Sequence, residues 1–278
     1  MCNINIVIKK DRIPTAKTLD ILNTTSAVSW MTNSDSEGFI NYHSKENYTL
    51  LRSLKKLSFS GKGWFCASHE RIATSGGAKP ESNIHPFETK YFLLFHNGVF
   101  WEFGDINESD TKQFLDYLTD EYEKHDKNLL KTLKTILPKV SGSFSILLYE
   151  KLNDRWVYFK ESGTYFYQLK TKEYRVFSTS EEALQLANII YFEEKGKIKE
   201  VQPYTIYELP TFKPLTTFKE CISYSTYYGK EWDDYGYYGG RDYRYYPTVR
   251  DYERYERELQ EERDNGAEET REALRELF

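Results

Sequence analysis

The second residue of the chain, Cys2, combines two groups that together could perform nucleophilic catalysis. Removal of Met1, which cells carry out when residue 2 is small, would leave Cys2 with a thiol and a free α-amine. An α-amine has an ordinary pKa of about 7.7–8.0, so near pH 7 part of it is neutral and can accept the thiol proton. A thiolate beside such a base is an effective nucleophile. The alternative is that Cys2 is a small apolar residue at the start of a buried strand.

Four short polar segments could supply partners for such a nucleophile. They are HERIAT at 69–74, NIHP at 83–86, HNG at 96–98 and SDT at 109–111. An Arg such as Arg71 can form paired hydrogen bonds with a carboxylate, although it could equally be a surface charge. Asn97 and Gly98 offer donors for an oxyanion, or they could simply end a strand in a turn. Asp110 could bind a cation, or it could simply favour the first turn of a helix.

The ordered set of motifs, together with the initial Met-Cys, resembles the class II glutamine amidotransferases. The resemblance covers roughly residues 2–210 and is densest between 64 and 115. It implies a glutaminase domain of the N-terminal-nucleophile hydrolase type. Such a domain hydrolyses glutamine to glutamate and ammonia through a thioester on Cys2, and a separate acceptor enzyme would take the ammonia. No cofactor and no metal are implied.

The resemblance also implies the catalytic roles. Cys2 would be the nucleophile, and the Asn97 side-chain amide and the Gly98 main-chain N–H would form the oxyanion hole. The histidines of this region are expected to hold loops by hydrogen bonds rather than to act in catalysis: His69, His85 and His96.

Substrate binding follows from the same resemblance. Arg71 would bind the α-carboxylate of glutamine, with Thr74 beside it, and Asp110 would bind the α-ammonium group. The sequence departs from the family pattern at Asn3, where Gly is usual, and at Thr32, where Arg is usual. Neither departure removes the nucleophile, the carboxylate clamp or the oxyanion donors.

Composition restricts the remaining possibilities. The net charge of −5 lies in residues 249–278, so the other 248 residues are neutral and offer no basic stripe for nucleic acid. The three cysteines, without a signal peptide, argue against a disulfide framework, and no zinc motif is present. No apolar run approaches the roughly 20 residues of a membrane helix. We therefore expect a cytoplasmic protein that binds neither nucleic acid nor membrane.

Strand and helix patterns are mixed without strict alternation, which indicates an α+β fold. Strands are predicted at 3–8, 38–43, 64–73, 91–98, 143–151, 155–161, 165–171 and 174–180, with a pair near 198–209. Helices are predicted near 14–27, 45–58, 109–125, 128–137 and 181–190, with Ser109 as a cap of the third. The resemblance extends this to a four-layer αββα sandwich occupying 1–212.

The remaining segment, 213–278, forms a Tyr-rich low-complexity stretch followed by a charged C-terminal helix. It contains eleven of the 24 Tyr residues. We expect it to bind a separate synthase subunit or another copy of the chain, because Tyr and Arg are enriched at binding hot spots. The alternative is that its aromatic residues pack back on its own domain. Two other functions stay open: a free-standing γ-glutamyl amidase, and a non-catalytic protein that keeps the fold and binds a partner.

Overall fold

A computed structural model describes residues 2–31, 35–72, 81–103 and 108–221. Three predicted features therefore lie outside the described residues: Thr32, Thr74 and the part of the tail from 222 to 278. Every strand pair within the described ranges is antiparallel.

The first sheet has seven strands in the order β11-β9-β10-β1-β4-β2-β3. Its strands are β1 Asn3–Lys9, β2 Ser36–Ser44, β3 Asn47–Ser53, β4 Phe65–Arg71, β9 Tyr167–Lys170, β10 Tyr174–Ser178 and β11 Lys197–Glu200. The N-terminal strand β1 lies at the centre, so the residue that precedes it, Cys2, enters the sheet between β10 and β4.

The second sheet has six strands in the order β13-β12-β8-β7-β6-β5. Its strands are β5 Phe87–Glu88, β6 Phe92–Phe100, β7 Gly142–Glu150, β8 Arg155–Lys160, β12 Thr205–Leu209 and β13 Lys213–Thr217. The strand that carries the HNG motif, β6, pairs with β7 along its whole length.

In the described part of the chain, four α-helices cover the outer faces of the two sheets. They are α1 Ala16–Trp30, α2 Asp110–Lys124, α3 Leu129–Ile136 and α4 Glu181–Tyr191. Helices α1 and α4 pack on the first sheet, and α2 and α3 share one core cluster with the outer face of the second. The layers are helix, sheet, sheet, helix, which confirms the predicted α+β fold and the αββα sandwich. None of the described helices combines the length and apolar composition needed to cross a membrane.

Alternation along the central strands explains the layering. In β1, Ile4, Ile6 and Ile8 face the second sheet, whereas Val7 faces the cluster beneath α1 and α4. Both faces are covered, so the strand is buried along its middle, and the face toward α1 carries the buried polar Asn5 as well as Val7. Ser109 caps α2 by accepting a hydrogen bond from Thr111 N, which confirms the predicted cap.

Two secondary-structure predictions were wrong. The segment 45–58 is not a helix: its first half forms β3, which pairs with β2 through a tight turn. Cross-strand pairing overrides a helical pattern here because Tyr48 and Leu50 pack against the inter-sheet core. The strands near 198–209 exist, but they do not pair with each other: β11 joins the first sheet and β12 the second.

The second sheet continues past residue 212. Strand β13 pairs with β12, Phe218 is buried in the cluster beneath α2 and α3, and Cys221 packs against that cluster. The boundary at 212 stays a prediction, but residues 213–221 contact the body of the fold.

Candidate functional site

Cys2 lies at the end of the layer between the two sheets. Cys2 is 8% exposed. Its side chain continues the inward-facing row of Ile4 and Ile6. Its thiol donates to Ile72 O and accepts from Ile72 N, each at 3.4 Å. The start of β1 is therefore tied to the residue that follows Arg71 at the end of β4.

Charges of both signs act on this thiol. Burial raises the pKa of Cys2 above its ordinary value, and the negative charge of Asp110 adds to the increase. Hydrogen bonding to Ile72 and the positive charge of Arg71 oppose it. Because burial is the largest effect, the thiol is held in its neutral form until a base removes its proton.

Arg71 is the last residue of β4 and is almost completely buried. Its Cα partner in β2 is Ser36, and its side chain follows the inward-facing row that includes Ala67. A buried guanidinium at the end of a strand beside Cys2 is suited to bind an anionic group.

Asp110 begins α2 and is also buried. Its Oδ2 accepts a hydrogen bond from Phe100 N at 2.9 Å, and its Oδ1 accepts one from Ser109 Oγ at 3.3 Å. These bonds attach the first turn of α2 to the end of β6, and so fix the carboxylate relative to the HNG motif.

Asn97 and Gly98 lie in β6 opposite Ser145 and Phe144. Successive residues of an antiparallel strand direct their main-chain N–H and C=O groups alternately to its two edges. Trp101 N donates to Ser141 O in this register, so Asn97, four residues earlier, also directs its main-chain groups toward β7. The Gly98 N–H consequently points to the other edge of β6. This is the edge where Phe100 N donates to Asp110.

Only glycine fits at position 98. Its φ is +139°, and a Cβ there would lie 1.8 Å from Ser143 O. The close approach of β7 to this position explains the residue type, and Asn97 beside it is buried. The HNG motif is therefore a strand segment with a glycine-dependent conformation, and the alternative of a turn ending a strand does not apply.

The histidines of the region are buried, and burial lowers the pKa of each one. His69 Nε2 bonds to His96 O, and His96 Nδ1 bonds to Thr111 Oγ1, both at 2.8 Å. These two make the structural hydrogen bonds that were expected of them. His85 instead stacks on His69 with ring centroids 3.9 Å apart, and neither of its ring nitrogens has a hydrogen-bond partner among the described residues.

A buried acidic network on the outer face of the first sheet was not anticipated. Glu37 and Glu70 are directly opposite in β2 and β4, and both are fully buried under α1. Asn5 Nδ2 donates to Glu70 Oε2 at 2.8 Å, and Lys56 Nζ donates to Glu37 Oε1 at 2.8 Å. The signal in the sequence is one Glu within each of two apolar strands. Only the register of β2 with β4 places these two Glu residues opposite each other.

Of the predicted site residues, five lie at one end of the inter-sheet layer or at the N-terminus of α2: Cys2, Arg71, Asn97, Gly98 and Asp110. Asn3, where the family usually has Gly, accepts a hydrogen bond from Thr179 Oγ1 at 2.6 Å and so helps to fix β1. Within the described ranges, no three His, Cys, Asp or Glu side chains are placed to hold a metal ion.

Comparison with known sequences finds relatives over part of the chain. The isomerizing glutamine–fructose-6-phosphate aminotransferase of Buchnera aphidicola is 28% identical over 109 residues, 35% of this chain and 18% of the relative. The enzyme of Bradyrhizobium diazoefficiens is 31% identical over 99 residues, 31% and 16% of the two chains. That of Helicobacter pylori is 28% identical over 144 residues, 47% and 24%. The matched segments thus span about a quarter or less of these relatives, and no family model matches the sequence.

Comparison with solved structures supports the same relationship at the level of the fold. The glutamine phosphoribosylpyrophosphate amidotransferase of B. subtilis, complexed with ADP and GMP, superposes with a TM-score of 0.56 at 13% identity. The match covers 78% of this chain and 49% of that one. A structure described as the allosteric regulatory enzyme of purine biosynthesis gives a TM-score of 0.56 at 13% identity, covering 80% and 50%. Sequence similarity over part of the chain and the fold together show that this chain is similar to class II glutamine amidotransferases and has the N-terminal-nucleophile hydrolase fold.

Proposed function

We propose that the protein hydrolyses glutamine to glutamate and ammonia, with Cys2 as the nucleophile after removal of Met1. The observation that supports this most directly is the position of the Cys2 thiol. It is buried, it bonds to the main chain next to Arg71, and it is within the electrostatic influence of both Arg71 and Asp110. One cation and one anion beside a nucleophile match the two charged groups of a free amino acid.

The proposed reaction has two stages. The α-amine of Cys2 takes the thiol proton while sulfur attacks the side-chain amide carbon of glutamine. The resulting oxyanion accepts hydrogen bonds from the Asn97 side-chain amide and the Gly98 N–H. The amine then protonates the leaving nitrogen, and ammonia departs. Water then adds to the thioester, and collapse of the resulting tetrahedral adduct releases glutamate and restores the Cys2 thiol.

Substrate binding uses the two buried charges. Arg71 pairs with the α-carboxylate of glutamine, and Asp110 accepts hydrogen bonds from the α-ammonium group. We further propose that Thr74 lies beside the carboxylate, although it is outside the described residues. Binding both ends of the amino-acid moiety would orient the distal amide toward Cys2.

The ammonia is proposed to pass to a separate acceptor enzyme. Residues 222–278 are the proposed contact with that partner or with another copy of the chain, because they combine many Tyr with charged residues. Truncation after Cys221, which retains β13, is expected to preserve glutamine hydrolysis and abolish co-purification with a partner or oligomer. Loss of hydrolysis in a folded truncated protein would contradict the assignment of these residues to association.

The test of the activity uses protein made with native N-terminal processing, whose intact mass shows whether Met1 has been removed. Glutamate and ammonia release are measured for this protein and for Cys2→Ala, which is expected to be inactive. Labelling with 6-diazo-5-oxo-norleucine is expected to add one group, at Cys2. The matched control is the buried Cys66, whose pKa burial also raises.

Labelling at Cys66 or Cys221 would refute the assignment of the nucleophile. Release of ammonia from other γ-glutamyl compounds in preference to glutamine would identify a free-standing γ-glutamyl amidase. Retention of Met1 together with absence of turnover would favour a non-catalytic binding protein.

A further inference from the structure

The two sheets meet mainly through apolar side chains, but at the site a polar bridge crosses between them. The layer is filled by side chains such as Ile6, Ala67 and Phe95. At the end near Cys2, His69 of β4 reaches across, and its Nε2 lies 2.8 Å from His96 O of β6. A carbonyl oxygen only accepts hydrogen bonds, so Nε2 carries the proton and donates.

The chemical state of His69 suits a fixed donor. The ring is 1% exposed, and burial lowers its pKa to about 3. At neutral pH it is therefore uncharged, with the proton on Nε2. Its other nitrogen, Nδ1, has no hydrogen-bond partner in the described part of the chain, so the bond to His96 O is the ring's polar contact there.

The ring of His69 is held in place from the side. His85 stacks on it at 3.9 Å with an interplanar angle of 33°. The main chain of His85 approaches β2 at Gly38, where a Cβ would lie 1.7 Å from His85 O. The pairing of Gly38 with His69 in the first sheet places this close approach beside the ring. The ring contact restricts the rotation of His69, and both rings are buried together with its hydrogen bond.

The acceptor of this bond immediately precedes the oxyanion motif. His96 O and the Gly98 N–H leave β6 on the same edge, away from β7, because His96 and Gly98 are two residues apart. The side chain of His96 also bonds to Thr111 in the first turn of α2. One hydrogen bond from His69 thus connects the strand of Arg71 to the strand of Asn97 and to the helix of Asp110.

We propose that His69 is a positioning residue that sets the distance between the strand carrying Arg71 and the proposed oxyanion donors Asn97 and Gly98. This inference rests on the proposed glutaminase function for its kinetic readout only. Without the bond, β6 would keep its ladder with β7, but its site-facing edge would lose this tie to the first sheet. A small displacement of an oxyanion donor is costly, since misplacement by 1 Å can lower a rate by about a hundredfold.

The test compares two variants of similar size that differ in one donor. His69→Gln places an amide N–H near the position of Nε2, whereas His69→Met fills the space without a donor. Tyr149→Phe is the control: the Tyr149 hydroxyl donates to Asp154 at 2.6 Å, at the opposite end of the same layer. The Tyr149→Phe substitution removes a polar contact of the inter-sheet layer, but far from the site.

Steady-state kinetics with glutamine and amide hydrogen exchange are measured. His69→Met is expected to lower kcat about tenfold to a hundredfold, with a smaller change in KM, because the oxyanion donors act on the transition state. His69→Gln is expected to recover most of kcat, and Tyr149→Phe to leave it unchanged. Amide hydrogen exchange of residues 96–100 is expected to accelerate in His69→Met and in neither of the other two.

Each outcome decides between the possibilities. Equal impairment of His69→Gln and His69→Met would show that the ring's shape matters and not its hydrogen bond, which overturns the proposal. Unchanged exchange at 96–100 in His69→Met overturns it as well. If the wild-type protein does not hydrolyse glutamine, the proposed function fails, and the exchange measurement alone decides the role of His69.

Discussion

The two ends of the layer between the sheets differ sharply in chemistry. At the far end, four rings form an aromatic cluster whose contacting pairs have centroids 4.7–5.9 Å apart: Tyr42, Phe65, Tyr149 and Trp156. At the site end, the inward positions of β4 and β6 carry His69, Arg71 and Asn97, and Cys2 lies just before β1. The far end buries large rings for stability, whereas the site end buries polar groups, each of which requires a partner.

The far end has a polar bridge of its own. Tyr42 of the first sheet and Tyr149 of the second both donate to Asp154. Asp154 lies in the turn between β7 and β8, four residues beyond the buried Glu150. Both ends therefore join the sheets by hydrogen bonds, but only the site end does so through a main-chain carbonyl next to a proposed functional residue. We infer that substitutions at the far end should mainly lower stability, whereas substitutions at the site end should mainly lower activity.

The largest expected effect is on stability at the far end. Trp156→Ala should lower the free energy of unfolding by about 3–5 kcal/mol, since Trp156 is 3% exposed and stacks on Tyr149. Urea denaturation measures the change, and the folded protein should keep its activity. Leu152→Ala is the control, because that side chain is 49% exposed. A lower kcat in the folded Trp156→Ala protein would contradict the inference that the far end affects stability and not activity.

At the site end the expected effect is on the rate. Asn97→Ala should lower kcat for glutamine by about 10²–10³, because it removes a proposed oxyanion donor. KM should change much less. Asn41→Ala removes a similar amide elsewhere in the first sheet, where Asn41 Nδ2 donates to Lys62 O at 3.1 Å, and should leave kcat unchanged. Equal effects of Asn97→Ala on kcat and KM would leave the oxyanion role unsupported.

A smaller effect is expected on substrate affinity. Arg71→Lys should raise KM about tenfold to a hundredfold, since a charge-assisted hydrogen bond contributes about 1.5–3 kcal/mol and lysine cannot form the paired arrangement. Steady-state kinetics with glutamine measures it. Arg155→Lys is the matched control, because Arg155 pairs with Glu150 at the far end. An unchanged KM in Arg71→Lys would exclude the carboxylate clamp.

Per pH unit, the smallest expected effect concerns a buried carboxyl group on the outer face behind the site. Burial, with Glu37 adding to it, raises the pKa of Glu70 from an ordinary 4.5 to about 8. The unfolded chain releases this proton near pH 4.5 while the folded protein retains it. The free energy of unfolding should therefore fall as pH rises between these values, by about 1.4 kcal/mol per pH unit from this group.

Glu70→Gln should remove that part of the pH dependence, as measured by urea denaturation at several pH values. Within the described residues, the side chains that bond to Glu37 or Glu70 are Asn5, Ser26, Lys56 and Ser68, and Leu57 N also donates to Glu37. Asn5 bonds in addition to Ser29. Lys56 is the cation among them. Glu88→Gln, at an exposed carboxylate, is the control. An identical slope in Glu70→Gln and wild type would mean that Glu70 is ionised throughout.

The order of the elements was largely predictable because strand alternation and helix caps are local. Ser109 capped α2 as expected, and β6 and β7 lie where aromatic and branched residues predicted them. The segment at 45–58 was mispredicted because its charged residues mimic a helical period. The pairing of β3 with β2 depends on contacts that are distant in sequence and that no local window contains.

The sequence by itself determined the chemistry available to this protein: a cysteine at position 2, an arginine and an aspartate of opposite charge, and an Asn-Gly donor pair. Only the tertiary structure decided how they meet. The register of β1 with β4 brings Cys2 beside Ile72, and the bond from His69 to His96 joins the two sheets next to the proposed oxyanion donors. The physical reason is that register and sheet packing are set by burial of side chains far apart in the chain, which residue types alone do not specify.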